Sequence, residues 1–240
     1  MILFVKLFLA HLLGDFLLQP NSWVRNKEEK KLRSPYLYLH TLLHGVLAFA
    51  VAGKEGFWVY AMVLAVVHGG IDAAKLVLQR DATKRQWFII DQLLHIASIC
   101  LIVMWNEPTD LEWQLDDSFL ILLTGAILLT KPTSLLIKVI ISGWTPDDKP
   151  GDGSLSNAGN YIGILERLFV FGFILTGHFE AIGFLLGAKS IFRFGDLTRA
   201  NDRKLTEYVL IGTLLSFGIA ILAGLAAQYL AMEAAVGLLG

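Results

Sequence analysis

Four pairs of metal-binding side chains, each spaced four positions apart, lie within or beside long apolar segments of this chain. The pairs are His11 with Asp15, His40 with His44, His68 with Asp72, and Asp91 with His95. Residues four positions apart project from the same face of an α-helix. Ionisable side chains are costly in an apolar span and usually line an interior functional site. The pattern therefore predicts four helices that share one polar centre.

The composition is typical of a membrane protein. Of the 240 residues, 55% are hydrophobic and only 17% are charged, and the mean hydropathy is +0.60. Several apolar runs approach or reach the ~20 residues that span a bilayer. We therefore predict an all-α fold, a polytopic integral membrane helical bundle of about eight transmembrane helices. They are predicted at residues 2–19, 36–53, 57–79, 87–105, 118–142, 160–177, 179–196 and 207–232.

The polar segment 106–117 divides the predicted bundle into two four-helix halves, residues 1–105 and 106–240. The first half carries the histidine and aspartate pairs, and the second carries buried bases. Alternating helices place the basic segments on one side and the acidic segment 106–117 on the other. Those basic segments are residues 24–35, 79–86 and 193–204. Because basic loops stay in the cytoplasm, both termini are predicted to lie outside it.

This orientation sorts the eight paired side chains into two layers by their distance from the cytoplasmic helix ends. The deeper layer is His11, His44, His68 and His95, and the shallower layer is Asp15, His40, Asp72 and Asp91. Imidazole and carboxylate ligands suit zinc, iron or manganese, and the single Cys100 excludes a cysteine-rich site. We predict one or two divalent ions, zinc first, with iron or manganese as alternatives. Hydrogen-bonded packing of helices, or a proton relay without metal, is the competing interpretation.

Four bases of the second half are predicted to lie mostly in the cytoplasmic half of their helices. They are Lys131, Arg167, Lys189 and Arg193. Two interpretations stand side by side: recognition of an anionic group through charge-assisted hydrogen bonds, or mutual ion pairing with snorkelling towards the interface. The chain has 20 basic and 21 acidic residues, which gives no indication of nucleic-acid binding.

Proline and small residues in the second half predict local helix geometry. Lys131-Pro132, in the middle of an apolar run, predicts a kink because proline lacks the N–H that the helix needs. Gly183 with Gly187, and Ala220 with Gly224, predict faces where two helices approach closely.

The segment His11-Leu-Leu-Gly-Asp15-Phe-Leu-Leu-Gln19, the other histidine pairs and Asp91-Gln-Leu-Leu-His95 resemble a bacterial membrane family, domain of unknown function DUF3307. The stretch Asn157–Asp196 resembles the C-terminal part of longer members. This resemblance implies a multi-pass protein of the bacterial inner (cytoplasmic) membrane and no assigned activity. A looser likeness is to membrane-bound metal-dependent hydrolases, although His40-Thr-Leu-Leu-His44-Gly lacks the arginine and serine of their signature.

The leading functional prediction is a metal-dependent membrane hydrolase that acts on a phosphoester or lipid-linked anionic substrate at the cytoplasmic side. Asp15 or Asp91 would take a proton from water, and the four bases would position the substrate. The alternatives are a metal-ion or proton-coupled transporter, and a non-catalytic metal-stabilised scaffold or sensor. The expected partners are the lipid bilayer and an anionic small molecule or lipid head group, without nucleic acid; oligomerisation stays open.

Overall fold

The computed structural model describes residues 1–106, 116–144, 158–194 and 202–237. All regular structure in these residues is helical, so the predicted all-α fold is confirmed for them. The α-helices are Ile2–Leu12 (α1), Asn21–Lys30 (α2), Pro35–Ala52 (α3), Trp58–Leu78 (α4), Lys84–Trp105 (α5), Asp117–Leu128 (α6), Lys131–Ile141 (α7), Ala158–Leu175 (α8), Phe179–Phe194 (α9) and Asp202–Gly237 (α10). Most of the acidic segment, residues 107–115, lies outside the described residues.

Six helical segments of the described chain are long and apolar enough to cross a membrane. They are Pro35–Ala52, Glu55–Leu78, Asp81–Trp105, Asp117–Trp144, Ala158–Leu175 and Thr206–Val236. A bent helix pair would make a seventh span if it crosses as one unit. The remaining predicted helix, residues 179–196, corresponds to α9, which has 16 residues. The count of about eight therefore stays a prediction.

The bent helix pair differs from the prediction, which had one helix over residues 2–19 followed by a polar loop. The first helix ends at Leu17, and the segment predicted as a loop forms α2 instead. The two arms, Ile2–Leu17 and Asn21–Arg33, meet at 81°. Pro20 lies at the bend, where its missing N–H ends the first helical ladder. The ring of Trp23 on α2 stacks on that of Tyr36 on α3, with centroids 5.3 Å apart.

The chain forms two compact units, Met1–Thr124 (unit 1) and Gly125–Gly240 (unit 2). In unit 1, α3 packs against α1 and α4, while α5 packs against α1 and α4. The core combines bulky side chains with alanines on facing helices, namely Leu7, Ala48, Ala52, Phe57, Ala61, Leu64, Ile99 and Ile102. These small residues let the helices approach closely, which brings their polar faces within reach of one another. The predicted division into residues 1–105 and 106–240 stays a prediction.

In unit 2 the predicted break at Lys131-Pro132 is present. The helix stops at Leu128 and starts again at Lys131. Pro132 has no N–H to donate to the carbonyl of Leu128, and the hydroxyl of Thr133 donates to that carbonyl instead, at 2.6 Å. The interruption leaves main-chain carbonyls for other partners.

The two small-residue motifs differ in their surroundings. Ala220 is fully buried, and a Cβ added at Gly224 would lie 2.8 Å from Ile174 of α8, so this predicted helix contact is confirmed. A Cβ added at Gly183 or Gly187 would meet no described atom within 4 Å. The described residues thus give that second motif no close helix contact.

Candidate metal centre

All eight predicted metal ligands lie close together inside unit 1. They come from α1, from the π-helical turn Leu13–Leu17 that extends it, and from α3, α4 and α5. All are buried except Asp15, whose side chain is 12% exposed. Their ligand atoms form three adjoining groups, each within 4.8 Å: His11, Asp15, His44 and His68; His40, His68 and Asp72; and Asp72, Asp91 and His95.

Asp15 lies among four imidazoles. Its Oδ1 atom is 3.0 Å from Nε2 of His44, 3.2 Å from Nε2 of His40 and 3.5 Å from Nε2 of His68. Its Oδ2 atom is 3.8 Å from Nε2 of His11. Ligand atoms bound about 2.0–2.2 Å from a tetrahedral zinc ion lie roughly 3.3–3.6 Å from one another. Most of the observed separations are therefore close to the edges of a coordination polyhedron.

The backbone around Asp15 allows its carboxylate to lie this close to the imidazoles. The amide of Leu18 donates to the carbonyl of Leu13, five residues earlier, at 2.8 Å, so the helix ends in a π turn. Such turns are frequent at functional sites. Gly14 provides the space, because a Cβ at this position would lie 2.4 Å from Nε2 of His44. The contact between His44 and Asp15 therefore depends on a glycine.

The remaining ligands continue the cluster away from Asp15. The Nε2 atoms of His40 and His68 are 3.2 Å apart. Nε2 of His95 is 3.6 Å from Oδ1 of Asp72 and 3.7 Å from Oδ1 of Asp91. His68 and Asp72 each belong to two of the three groups, so the groups form a continuous chain. Eight ligands in such a chain exceed what one tetrahedral ion uses, which agrees with one or two ions plus supporting residues.

Several polar atoms of the cluster lack hydrogen bonds. Buried Nε2 atoms of His44 and His95 and Oδ1 of Asp91 make none with the described residues, although His44 lies near Asp15. Buried polar atoms without partners indicate a bound ion or water. The cluster also has a formal charge of −1 with neutral imidazoles, because three carboxylates face two ammonium groups. The types of donor atom, the buried polar atoms without hydrogen bonds and the negative charge of the cluster all fit a divalent cation.

Those two ammonium groups belong to Lys27 and Lys75, which the sequence pattern does not predict to lie in the centre. Nζ of Lys27 donates to Asp72 at 2.8 Å, with both side chains 8% exposed. Nζ of Lys75 donates to Asp91 at 2.8 Å. Lys75 had a detectable signal, since it follows His68 by seven positions and so shares its helix face. Lys27 had none, because it lies in a segment that was predicted to be a loop.

Gln92 is a third residue that sequence reasoning missed. Its Nε2 donates to Asp15 at 3.2 Å and to Asp91 at 3.3 Å, while its Oε1 lies 3.3 Å from Nε2 of His11. It thereby links the carboxylates at the two ends of the cluster. Residues that orient ligands in this way tune both metal affinity and ligand basicity.

A small cavity of about 30 Å³ adjoins the cluster. Its histidines are the four that the sequence assigned to the deeper layer: His11, His44, His68 and His95. Ser98 and apolar residues, among them Leu7 and Leu64, complete the lining. A space of this size accommodates a water molecule beside the imidazoles.

A family model described as "Protein of unknown function (DUF3307)" matches residues 3–123. The chain belongs to this family. The matched region contains all eight candidate ligands together with the lysines and glutamine that contact them. No curated protein and no solved structure is significantly similar to the chain. The likeness of Asn157–Asp196 to longer DUF3307 members, and the looser likeness to hydrolases, stay predictions.

The predicted anion-binding bases of this DUF3307 protein lie in unit 2 in three different settings. Arg167 is buried, and Lys189 is half-buried and paired with Glu166 at 2.5 Å. Lys131 is exposed. Arg193 belongs to α9, and its side chain lies outside the part that the structure describes.

Arg167 is held at the break between α6 and α7. Its guanidinium donates to the carbonyls of Leu129 at 2.6 Å and Thr130 at 3.2 Å. It also donates to the hydroxyls of Ser134 at 2.5 Å and Ser216 at 3.2 Å. The arginine thus satisfies the carbonyl of Leu129 at the helix break, and it adds a donor to the carbonyl of Thr130, which also accepts from the amide of Ser134.

Replacing Lys27 with methionine is expected to destabilise the metal-free protein by roughly 3–5 kcal/mol, since it leaves the buried carboxylate of Asp72 unpaired. A divalent cation at the cluster would compensate that carboxylate, so added metal should reduce the deficit. Denaturant titrations in detergent, with and without metal, measure both effects. Lys30→Met on the exposed side of α2 is the matched control. Equal unfolding free energies for the two variants would contradict the expectation.

Proposed function

We propose that this DUF3307 protein is a membrane-embedded, metal-dependent hydrolase that acts on a phosphoester or lipid-linked anionic substrate. The observation that carries the proposal is the convergence of five imidazoles and three carboxylates at ligand-like separations inside a helical unit. A divalent metal, when bound, polarises a phosphoryl oxygen and acidifies water. Zinc is proposed first, and iron or manganese are the alternatives with the same ligand preferences.

The surroundings of the two catalytic candidates favour different roles. Asp15 faces four imidazoles, which suits a metal ligand. Asp91 has Oδ2 held by Lys75 and Gln92, while Oδ1 makes no hydrogen bond with the described residues. We therefore assign proton acceptance to Asp91, with Lys75 orienting its carboxylate. A general base must lie within reach of the proton that it removes, directly or through one water.

An apolar groove favours a lipid as the substrate. It has a volume of about 490 Å³ and is lined by α4 and α5 residues that include Val67, Leu101 and Trp105. Leu64 and Ser98 line both this groove and the small cavity beside the histidines. An apolar chain in the groove would thus have its polar group near the cluster. The volume lies within the ~300–1,000 Å³ of ligand pockets.

The test is hydrolysis by purified protein in lipid nanodiscs, with metal content measured on the same sample. We expect stoichiometric metal, release of phosphate from phosphatidic acid, and a rate that chelation lowers at least about tenfold and metal restores. His178→Ala provides a control, because this histidine is exposed and lies in unit 2. Metal-free protein, or hydrolysis indifferent to chelation, would refute the proposal.

A transporter is the second candidate, favoured by the helix interruptions. The 81° bend follows immediately after the turn that carries Asp15, and α2 beyond it places Lys27 on Asp72. Discontinuous helices commonly form ion and substrate sites in transporters. Zinc or proton flux into sealed liposomes without hydrolysis would favour this function. Bound metal with neither flux nor hydrolysis would favour a metal-stabilised scaffold or sensor.

A further inference from the structure

Unit 2 contains a polar cavity of its own, separate in composition from the histidine cluster. It has a volume of about 220 Å³ and lies among α7, α8, α9 and α10. The charged residues of its described lining are Arg167, Lys189 and Glu166. Hydroxyl groups of Ser134, Thr213, Ser216 and Tyr208 add neutral donors. α7, α8 and α10 belong to segments that are apolar enough to span a membrane. Such a concentration of polar groups is unusual there, and it indicates a specific task.

Among the described residues, the lining of this cavity carries an excess positive charge. Glu166 pairs with Lys189, so its charge is already balanced. Arg167 is 4% exposed and, within the described residues, forms no ion pair with a carboxylate. Its hydrogen bonds are to neutral carbonyls and hydroxyls. A buried charge without a counter-ion is costly, and an anionic ligand would remove that cost.

The cations have donors to spare for such a ligand. A guanidinium has five N–H donors, and four hydrogen bonds of Arg167 are accounted for by the described residues. An ammonium group has three donors, and Lys189 uses one of them on Glu166. Nη1 of Arg167 lies 3.4 Å from where a Cβ of Gly163 would be, so glycine keeps this side of the guanidinium open to the cavity.

The first turn of α8 adds a further feature that favours anions. Gly159 and Asn160, the second and third residues of this helix, line the cavity. The N–H groups of a first helical turn have no partners within the helix and attract negative charge. A Cβ added at Gly159 would meet no described atom within 4 Å, so no described side chain crowds this position.

We propose that this cavity binds a phosphate group, carried either by a lipid head group or by a small soluble molecule. Tetrahedral phosphate offers several acceptor oxygens at once to the remaining N–H of Arg167, to the ammonium of Lys189 and to the hydroxyl donors, and charged donors make the strongest of these hydrogen bonds. The site is built from unit 2 residues alone. It therefore goes beyond the proposed hydrolase and does not depend on the metal centre.

The experiment measures equilibrium binding of labelled inorganic phosphate to the full chain in nanodiscs of neutral phosphatidylcholine. Saturable binding is expected, and Arg167→Gln should raise the Kd at least about tenfold, because charge-assisted hydrogen bonds are lost. Glu166→Gln should lower the Kd, since it frees Lys189 and adds net positive charge. Lys138→Gln, an exposed base on α7, should leave the Kd unchanged.

The two variants are expected to change the Kd in opposite directions. If Arg167→Gln fails to fold, Glu166→Gln still tests the proposal by itself. Nanodiscs that contain phosphatidic acid, used with a chelator that stops the proposed hydrolysis, separate the two sources of phosphate: a head-group ligand lowers apparent phosphate binding, and a soluble ligand leaves it intact. Absence of saturable binding in both arms, or weaker binding by Glu166→Gln, would overturn the proposal. Binding should survive chelation, so loss of metal or hydrolysis would not be mistaken for loss of this site.

Discussion

Replacing Asp15 with asparagine is expected to lower the affinity for divalent metal by more than about 100-fold, which exceeds the usual effect of altering a residue behind the ligands. The reason is geometric: one carboxylate lies 3.0–3.8 Å from the Nε2 atoms of four imidazoles. An amide keeps the shape but loses the negative charge and one acceptor oxygen. Metal content after dialysis against buffered zinc, and titration with a competing chelator, measure the change.

The matched control is Asp81→Asn. It makes the same chemical change in the same unit, on a side chain that is 98% exposed, and should leave metal affinity unaltered. Thermal unfolding gives a second readout, because a ligand that binds only the folded state raises the midpoint. Added zinc should raise the Tm of the wild type and of Asp81→Asn, with little effect on Asp15→Asn.

The same measurements distinguish metal binding from the competing interpretation of hydrogen-bonded helix packing. If the cluster only joins helices, Asp15→Asn lowers the Tm, and zinc has no effect on any of the proteins. If wild-type protein responds to zinc and Asp15→Asn responds equally, the assignment of Asp15 as a ligand is wrong. Each interpretation therefore predicts a different response to zinc.

The juxtaposition of the ligands was accessible from the sequence because it depends on short-range regularities. A four-residue interval fixes two side chains on one helix face, as for His68 and Asp72 on α4. Long apolar runs fix the helices themselves, and successive helices reverse direction. The order of histidine and aspartate also reverses between α4 and α5, which keeps like residues at similar depth. These constraints do not depend on the details of packing.

The contributions of Lys27 and Gln92 were not accessible, because they depend on long-range geometry. Lys27 reaches Asp72 only because Pro20 ends the first helix and the chain turns by 81° into α2. That segment has the composition of a loop. A helix is recognised in a sequence by a periodic apolar face, and this polar helix lacks one. Gln92 adjoins Asp91 in sequence, and its bridge to Asp15 spans 77 residues. No local pattern records such contacts.

Arg167 shows a different limit of prediction from the sequence. Its position in an apolar helix marked it as unusual, but two interpretations remained open, ligand recognition or structural pairing. The structure adds a role in satisfying the carbonyl of Leu129, which lies in the helix break beside Pro132, more than thirty residues earlier. The proline was visible in the sequence, while the identity of the side chain that would compensate for it was not. Only the packing of α8 on α7 supplies that information.

Gly14→Ala is expected to disable the metal centre without touching any ligand. The new methyl carbon would lie 2.4 Å from Nε2 and 2.5 Å from Cε1 of His44, well inside contact distance. The ring cannot retreat towards α4, because it stacks on His68 with centroids 3.6 Å apart. Overpacking of this kind costs about 1–3 kcal/mol, against roughly 0.5–1 kcal/mol gained by removing a helical glycine. His44 should therefore leave Asp15, with a loss of metal affinity on the order of tenfold or more.

Gly70→Ala is the control, since a Cβ at that exposed helical position would meet no described atom within 4 Å. It should bind metal normally and be slightly more stable than the wild type, because alanine favours the helix. The double variant Gly14→Ala/His44→Ala separates crowding from ligation: removing the ring makes room for the methyl group, so stability should recover while metal affinity stays low. Wild-type metal affinity in Gly14→Ala would instead show that His44 can move without loss of binding, and His44 could then not be a required ligand.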